Sequence, residues 1–141
     1  MTLSPPAQRV DAGLLVLRVT LGVILLIHGL WKVKHGVAWI SGPLSALGLP
    51  SALAYGAYVG EVLAPVLLIL GLWPRASALV IAFHMSMAIV LARRGDIGKI
   101  NPISGGWSIE LEALLIFAAI AIALAGAGRY ALSRTRDGGS W

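Results

Sequence analysis

A short series of ionisable side chains interrupts stretches that are otherwise apolar: Arg18, His28 and Lys32, then Glu61, then His84, then Glu110 and Glu112. A charge at the middle of a bilayer span costs about 2.5–3.5 kcal/mol on insertion scales, so each such residue is a candidate for function. A carboxylate and an imidazole at similar depth suit proton-coupled chemistry, in which Glu61 and His84 exchange protons with a ligand. Pro65 sharpens the case, because it lacks the N–H that would bond the carbonyl of Glu61 four residues earlier. Carbonyl and carboxylate are then freed at one spot, with Tyr58 one turn before. Two readings fit: an entry point for a polar ligand or proton, or a kink that only lets helices pack, with Glu61 protonated or paired to Arg18. Glu61, His84 and His28 are the catalytic candidates. Arg18, Lys32, Tyr58 and Glu110 make up a polar membrane cluster around them, and no metal site is expected.

These residues have to be carried by membrane helices. Of 141 residues 58% are hydrophobic and 12% charged, with a mean hydropathy of +0.87, whereas a soluble domain carries roughly 25% charge. About 20 apolar residues cross a bilayer, and only helices or closed barrels satisfy every backbone group there. The runs are too long for barrel strands. They predict an all-α, polytopic, antiparallel four-transmembrane-helix bundle in one domain over 1–132, with spans at about 12–33, 52–72, 76–92 and 109–128. Residues 133–141 read as a flexible tail. No small-residue cleavage pattern follows the first span, so it is expected to be retained rather than removed as a signal peptide. Gly42-Pro43 and Gly48-Leu49-Pro50 mark an irregular connector with a short surface helix around Trp39, and Ser51 suits a helix N-cap. Trp73-Pro74-Arg75 is a tight turn.

Four spans put both termini on one side with Arg9, Arg75, Arg129, Arg134 and Arg136, against Lys32, Lys34, Arg93, Arg94 and Lys99 on the other. Arg18 tips this balance toward cytoplasmic termini, leaving Trp31, Trp39 and Trp107 as the outer aromatic belt. The net charge of +5 is assigned to the flanks of the spans and to lipid headgroups rather than to nucleic acid. Small residues at four-residue spacing, Gly56 and Gly60, Ala78, Ala82 and Ser86, and Ala119, Ala123 and Ala127, are expected to pack helices within the bundle rather than form a dimer face.

At about 100° per residue Arg18, His28 and Lys32 share an arc of roughly 80°, which should look inward. Measured from the terminal side at about 1.5 Å per residue, Arg18 falls near 9 Å, His84 near 12 Å, Glu61 near 16 Å, His28 near 24 Å and Glu110 near 28 Å. Glu61 and His84 thus form one level, and His28, Lys32 and Glu110 another. The offset of about 12 Å between the two histidines is too large for axial ligation of one haem. Glu112 lies about 200° around its helix from Glu110, so the two cannot face one interior point. Met85 and Met87 are read as packing residues.

Taken in order, several motifs resemble the DoxX family of four-helix membrane proteins over nearly the whole chain. They are Leu17-Arg18, Gly22, His28-Gly29-Leu30-Trp31-Lys32, Gly48-Leu49-Pro50, Gly60-Glu61, Leu70-Gly71-Leu72 with Arg75, Gly106-Trp107 ahead of Glu110, and Gly126-Ala127-Gly128-Arg129-Tyr130. One departure is visible: the family often places an acid after Ser-Leu at the end of the last motif, where this chain has Ala131-Leu132-Ser133. The resemblance implies a multi-pass protein of the bacterial inner membrane. It also implies a link to redox chemistry, since relatives look like subunits of sulfur-compound:quinone oxidoreductases or of oxidative-stress complexes. Arg18, Lys32, Glu61 and Glu110 match recurrent polar positions of the family. Membership alone fixes no activity.

Three functions are compatible with these observations. The first is a non-haem accessory or quinone-interacting subunit of a membrane redox system, with Glu61 and His84 delivering protons and Arg18 or Lys32 tuning them. The chain has no cysteine and encodes no electron carrier, so a soluble or membrane partner with flavin, haem or metal is required. The second is a small-molecule transporter, for which a homo-oligomer could form the pathway, and the third is a non-catalytic membrane anchor or assembly factor. No covalently held cofactor is implied. The lipid bilayer is a partner in every case.

Overall fold

The computed structural model describes residues 5–133. Met1–Ser4 and, of the expected tail, everything beyond Ser133 lie outside the described residues, as do Arg134 and Arg136 of the charge balance.

Helix α1 runs over Pro5–His35. Its prolines fall in the first turn, where no intrahelical N–H is needed, and the chain leaves it at Gly36 (φ +82°), whose N–H bonds the Lys32 carbonyl at 2.7 Å. Lys32, Lys34 and His35 crowd the last turn, complementing the negative helix end. The connector places Trp39 in a short 3₁₀ turn, Ala38–Ile40, and continues as the surface helix α2, Ser41–Ala46. Leu44 of α2 packs with Val37, Ala54 and Ala57, closing that end of the fold.

Helix α3 (Ser51–Leu70) is not uniform. Ser51–Tyr55 is a 3₁₀ segment following Pro50, with no side-chain cap from Ser51. Val59–Leu63 is a π-turn ahead of an α-helical stretch that carries Pro65 in its first turn. Gly71 (φ +71°) ends the helix, and the N–H of Leu72 bonds the Leu67 carbonyl at 2.8 Å, a left-handed cap that stops the chain turning further. Trp73, with φ +44°, completes the turn before Pro74 opens α4 (Pro74–Asp96). After α4 the chain forms a closed loop. Trp107 pairs with Ile100 and donates its indole N–H to the Ile97 carbonyl at 2.6 Å, and the Asn101 carboxamide accepts from the Ile103 N–H at 2.9 Å. Helix α5 covers Glu110–Ala125 and stops at Gly126 (φ +85°), three residues short of the expected span end.

Among the described residues the chain is helix and loop, and three helices, Ala7–His35, Ser51–Leu70 and Pro74–Asp96, are long and apolar enough to cross a bilayer. Leu21 and Leu25 of α1, Leu68 of α3, Ile81 and Met85 of α4, and Leu115, Ala119 and Ile122 of α5 form one core. Large apolar side chains on the other faces, such as Val16, Ile27, Leu63, Phe83, Phe117 and Leu124, point outward. That inside-out balance suits a lipid solvent.

Glycine sets how α1 meets α3. A Cβ at Gly22 would meet Ile69 and the Pro65 carbonyl, and one at Gly29 would collide with the Glu61 carbonyl and Val62, so the two backbones run antiparallel in close contact. The small residues expected to pack inside the bundle do so at Gly60, Ala78, Ala82, Ala119 and Ala127, with Ala123 half-buried, whereas Gly56 and Ser86 are exposed. The register also corrects the depth estimate. Gly29 lies against the Glu61 carbonyl and Gly71 against the side chain of Arg18, so setting Ala12 and Leu72 at one depth displaced the helices by more than a turn.

Gly29→Ala should lower stability by about 1–3 kcal/mol, because the backbone carbonyl it meets cannot swing away. Gly13→Ala, where nothing lies within 4 Å, should be neutral or stabilising by about 0.5–1 kcal/mol. Thermal unfolding of both variants in detergent checks this, and equal melting temperatures would remove the close-approach account.

Candidate functional site

Three elements converge on Glu61. The residue sits in the π-turn of α3 and is 2% exposed. Its Oε1 accepts from the Lys32 ammonium of α1 and lies 2.8 Å from Nε2 of His84 on α4. The local sequence explains the meeting. Pro65 withholds the donor for the Glu61 carbonyl, the π-turn widens the helix at that point, and Gly29 lets α1 come in against the freed carbonyl. Gly60 does the same on the other flank, where the His84 ring occupies the space a side chain would take.

A carboxylate at this depth is compensated only by such neighbours, and an opposite charge in a low-dielectric setting interacts far more strongly than in water. Lys32 supplies that charge, and its side chain remains 14% exposed, against 3% for Glu61 and 18% for His84. The ammonium also sits 5.7 Å from the centroid of the Trp39 ring, a cation–π contact. Tyr58 donates to the Lys32 carbonyl at 3.3 Å. Oε2 of Glu61 is buried without a hydrogen-bond partner among the described residues. The arrangement can hold a proton on any of three groups and pass it along the two contacts that share Oε1.

The structure therefore unites residues that the depth estimate separated. Lys32 joins Glu61 and His84 because α3 is shifted along α1 and because lysine has a long stem. His28 does not join them. It lies at the edge of the 80° arc, is exposed, and its Nδ1 bonds the Ile24 carbonyl of its own helix at 2.9 Å. His28 and His84 thus do not face each other within the chain. Glu110 is exposed as well, its carboxylate folded over Gly106, in keeping with a helix-start residue. The inward carboxylate of α5 is Glu112, 3.9 Å from Nε of Arg93, which also pairs with Asp96 at 3.1 Å. Sequence reasoning passed over Arg93 as a flanking charge. Among the described residues no three His, Asp or Glu side chains converge to hold a metal ion.

Arg18 stands apart from Glu61. It is 1% exposed and reaches the segment after α5, donating to the Tyr130 carbonyl at 2.7 Å and to the Ala127 carbonyl at 3.4 Å. The same segment is pinned twice more. The Ser133 hydroxyl donates to the Gly71 carbonyl at 2.6 Å, and Asp11 accepts from the Arg129 N–H at 3.1 Å. Residues 127–133 form a strap across the ends of α1 and α3, and Arg18 is its central bolt. Glu61 and Arg18 lie on different levels, which corrects the expectation that they pair or that Arg18 tunes the carboxylate.

Arg18→Met leaves those carbonyls without their donor, so stability should fall by about 1–3 kcal/mol, with faster proteolysis within residues 127–133. His28→Leu should change stability by less than about 0.5 kcal/mol. Melting curves and limited proteolysis of the two variants decide, and the reverse order would refute both placements.

Comparison with known proteins agrees with the geometry. The DoxX family profile matches residues 13–94, a stretch containing Arg18, Lys32, Glu61 and His84. A Bacillus subtilis (strain 168) protein named "Putative oxidoreductase CatD" is 31% identical over 122 residues, covering 86% of this chain and 85% of that protein. An uncharacterized protein of Haemophilus influenzae is 30% identical over 117 residues, covering 82% of this chain and 84% of its own. No solved structure matches. With the match extending over more than half its length and centred on the helices that build the buried cluster, the chain belongs to the DoxX family of membrane proteins.

Proposed function

We propose that this protein is a quinone-interacting subunit of a redox system in the bacterial inner membrane, in which Glu61 and His84 carry the protons and Lys32 balances the carboxylate's charge. The observation that carries the reading is a carboxylate in the apolar interior with one oxygen shared by two proton donors and the other unpartnered. A site that only locked helices together would gain more from a fully satisfied carboxylate. The relative named as an oxidoreductase supports the same class of chemistry.

Reduction of one quinone to the quinol takes two electrons and two protons. In this reading electrons come from a partner bearing flavin, haem or metal, the chain having no cysteine for a thiol relay. Protons pass from Glu61 through His84 to the headgroup, with Lys32 holding the charge of the carboxylate in the apolar interior. In this reading α5, 16 residues and about 24 Å long, is a fourth span of an antiparallel bundle, extended by the apolar residues on either side. Both termini face the cytoplasm, and Trp31, Trp39 and Trp107, each more than 40% exposed, form the outer belt. Arg18 belongs to the scaffold rather than to the chemistry.

Quinone extracted from the detergent-purified protein should be retained by the native chain and reduced at least tenfold in Glu61→Gln. The double variant Lys32→Met with Glu61→Gln, which leaves no unpaired ammonium, should show the same loss with a native-like melting curve. A quinone-free native protein, or retention by both variants, would sink the proposal and favour an anchor or a transporter.

A further inference from the structure

Two grooves flank the buried cluster, and they differ in chemistry. The larger, about 490 Å³, lies at the belt end between the connector and the start of α3, bounded by Ser41, Ser51, Tyr55, Tyr58 and the backbone around Gly36. Its lining is still mainly apolar, through Val37, Ala52 and Ala54, with hydroxyl groups set among them. The smaller, about 120 Å³, lies between α3 and α4 and is bounded by Val59, Leu63, Leu67, Val80 and Trp73. Almost nothing polar lines it. Its walls are exposed on the outer face of the fold, Val59 at 47%, Leu63 at 53% and Val80 at 39%, so in a bilayer it opens sideways to lipid.

The smaller groove runs toward the cluster, and its lining stops short of it at Val59 and Val80. Val80 lies one turn before His84 and about 40° around the helix from it, and Val59 precedes Gly60, whose missing side chain is what admits the His84 ring. A chain lying in this groove is therefore directed toward His84, one turn beyond Val80 and the least buried of the cluster's three groups. An apolar channel that starts at the Trp73 turn and points at an imidazole matches a molecule with a hydrocarbon tail and a head that accepts hydrogen bonds.

We infer that the isoprenoid tail of the quinone lies in the α3–α4 groove and that its headgroup enters laterally from the bilayer to meet His84. This rests on the quinone reading above and adds to it the side of approach, the tail seat and the first contact. Tail and headgroup are then read by different residues. Leu63 and Val80 hold the tail, His84 donates to a headgroup oxygen, and Lys32 stays on the far flank of Glu61, out of reach of the ligand. The belt-end groove remains for water.

The test uses the full-length protein in phospholipid vesicles loaded with ubiquinone-8 and menaquinone-8. Leu63→Trp with Val80→Trp fills the groove from its lipid-exposed walls without entering the core, while Ala52→Trp fills the belt-end groove as a control. Expected results are a tenfold or greater loss of co-purified long-tailed quinone in the first variant and no change in the control. Binding of ubiquinone-1, with its single isoprenoid unit, should stay within twofold of native in both. A quinone carrying a photoreactive group on its tail should label the native protein within residues 59–80, a readout that does not depend on how the tryptophan variants fold. If the native protein retains quinone and Glu61→Gln loses it, yet the groove-filling variant binds like native or the tail labels residues 36–58, the lateral route is wrong and the quinone reading stands. If the native protein binds no quinone, both fall.

Discussion

Everything near the centre of this protein follows from keeping one carboxylate inside an apolar solvent. Glu61 cannot be stabilised by water there, so it must be approached by donors that are themselves anchored, and each donor has to arrive from a different helix. Lys32 comes from α1 and His84 from α4, both onto the same oxygen. Neither could reach it in an ordinary packing of helices with side chains between them. The approach is obtained by leaving side chains out, at Gly29 for α1 and at Gly60 for His84, and by giving up regular helix geometry in the π-turn before Pro65. Backbone irregularity is tolerated in a membrane only where protein covers it, and the close contact of α1 is that cover.

The second buried charge obeys a different rule. Among the described residues Arg18 has no ion pair; Nη1 and Nη2 donate to backbone carbonyls of the strap after α5, while Nε is buried without a partner. Carbonyls have no competing fold-level role once a helix has ended, and a guanidinium with five donors can collect several of them. The consequence is topological. One side chain near the start of the chain closes the other end of the described residues over α3, with Ser133 reaching Gly71 from the strap itself.

Helix-forming stretches were legible in the sequence, because long apolar runs between Gly, Pro and basic residues leave few alternatives, and so was Glu61, through its cost and the proline behind it. Three physical effects hid the rest. A helical arc of 80° is wide enough to hold both an inward Lys32 and an outward His28, so the angle alone could not choose between them. Depth could not be read because it depends on where neighbouring helices lie along one another, which Gly22, Gly29 and Gly71 decide through contacts invisible in hydropathy. Glu110 and Glu112 differ by two residues and therefore by half a turn or more. Only the position of Arg93 shows which of them looks inward.

That same register explains why an incompletely satisfied buried carboxylate and a structural lock can share a chain this small. Gly71 sits level with Arg18 and Gly29 with Glu61, a separation of ten residues along α3, or about 15 Å. At that distance Glu61 and Arg18 interact by about 1 kcal/mol at an effective dielectric of about 20, well below the interaction of Glu61 with Lys32 in direct contact. The strap in turn holds the ends of α1 and α3 together where they would otherwise splay, which keeps Gly29 pressed against the π-turn. A cluster whose carboxylate has a free oxygen is short of bonding partners by design, and it keeps its shape only because the stiffness is supplied one level below it. The bundle thus separates the strap that stiffens it from the cluster that leaves one carboxylate oxygen unpartnered, and it does so along α3.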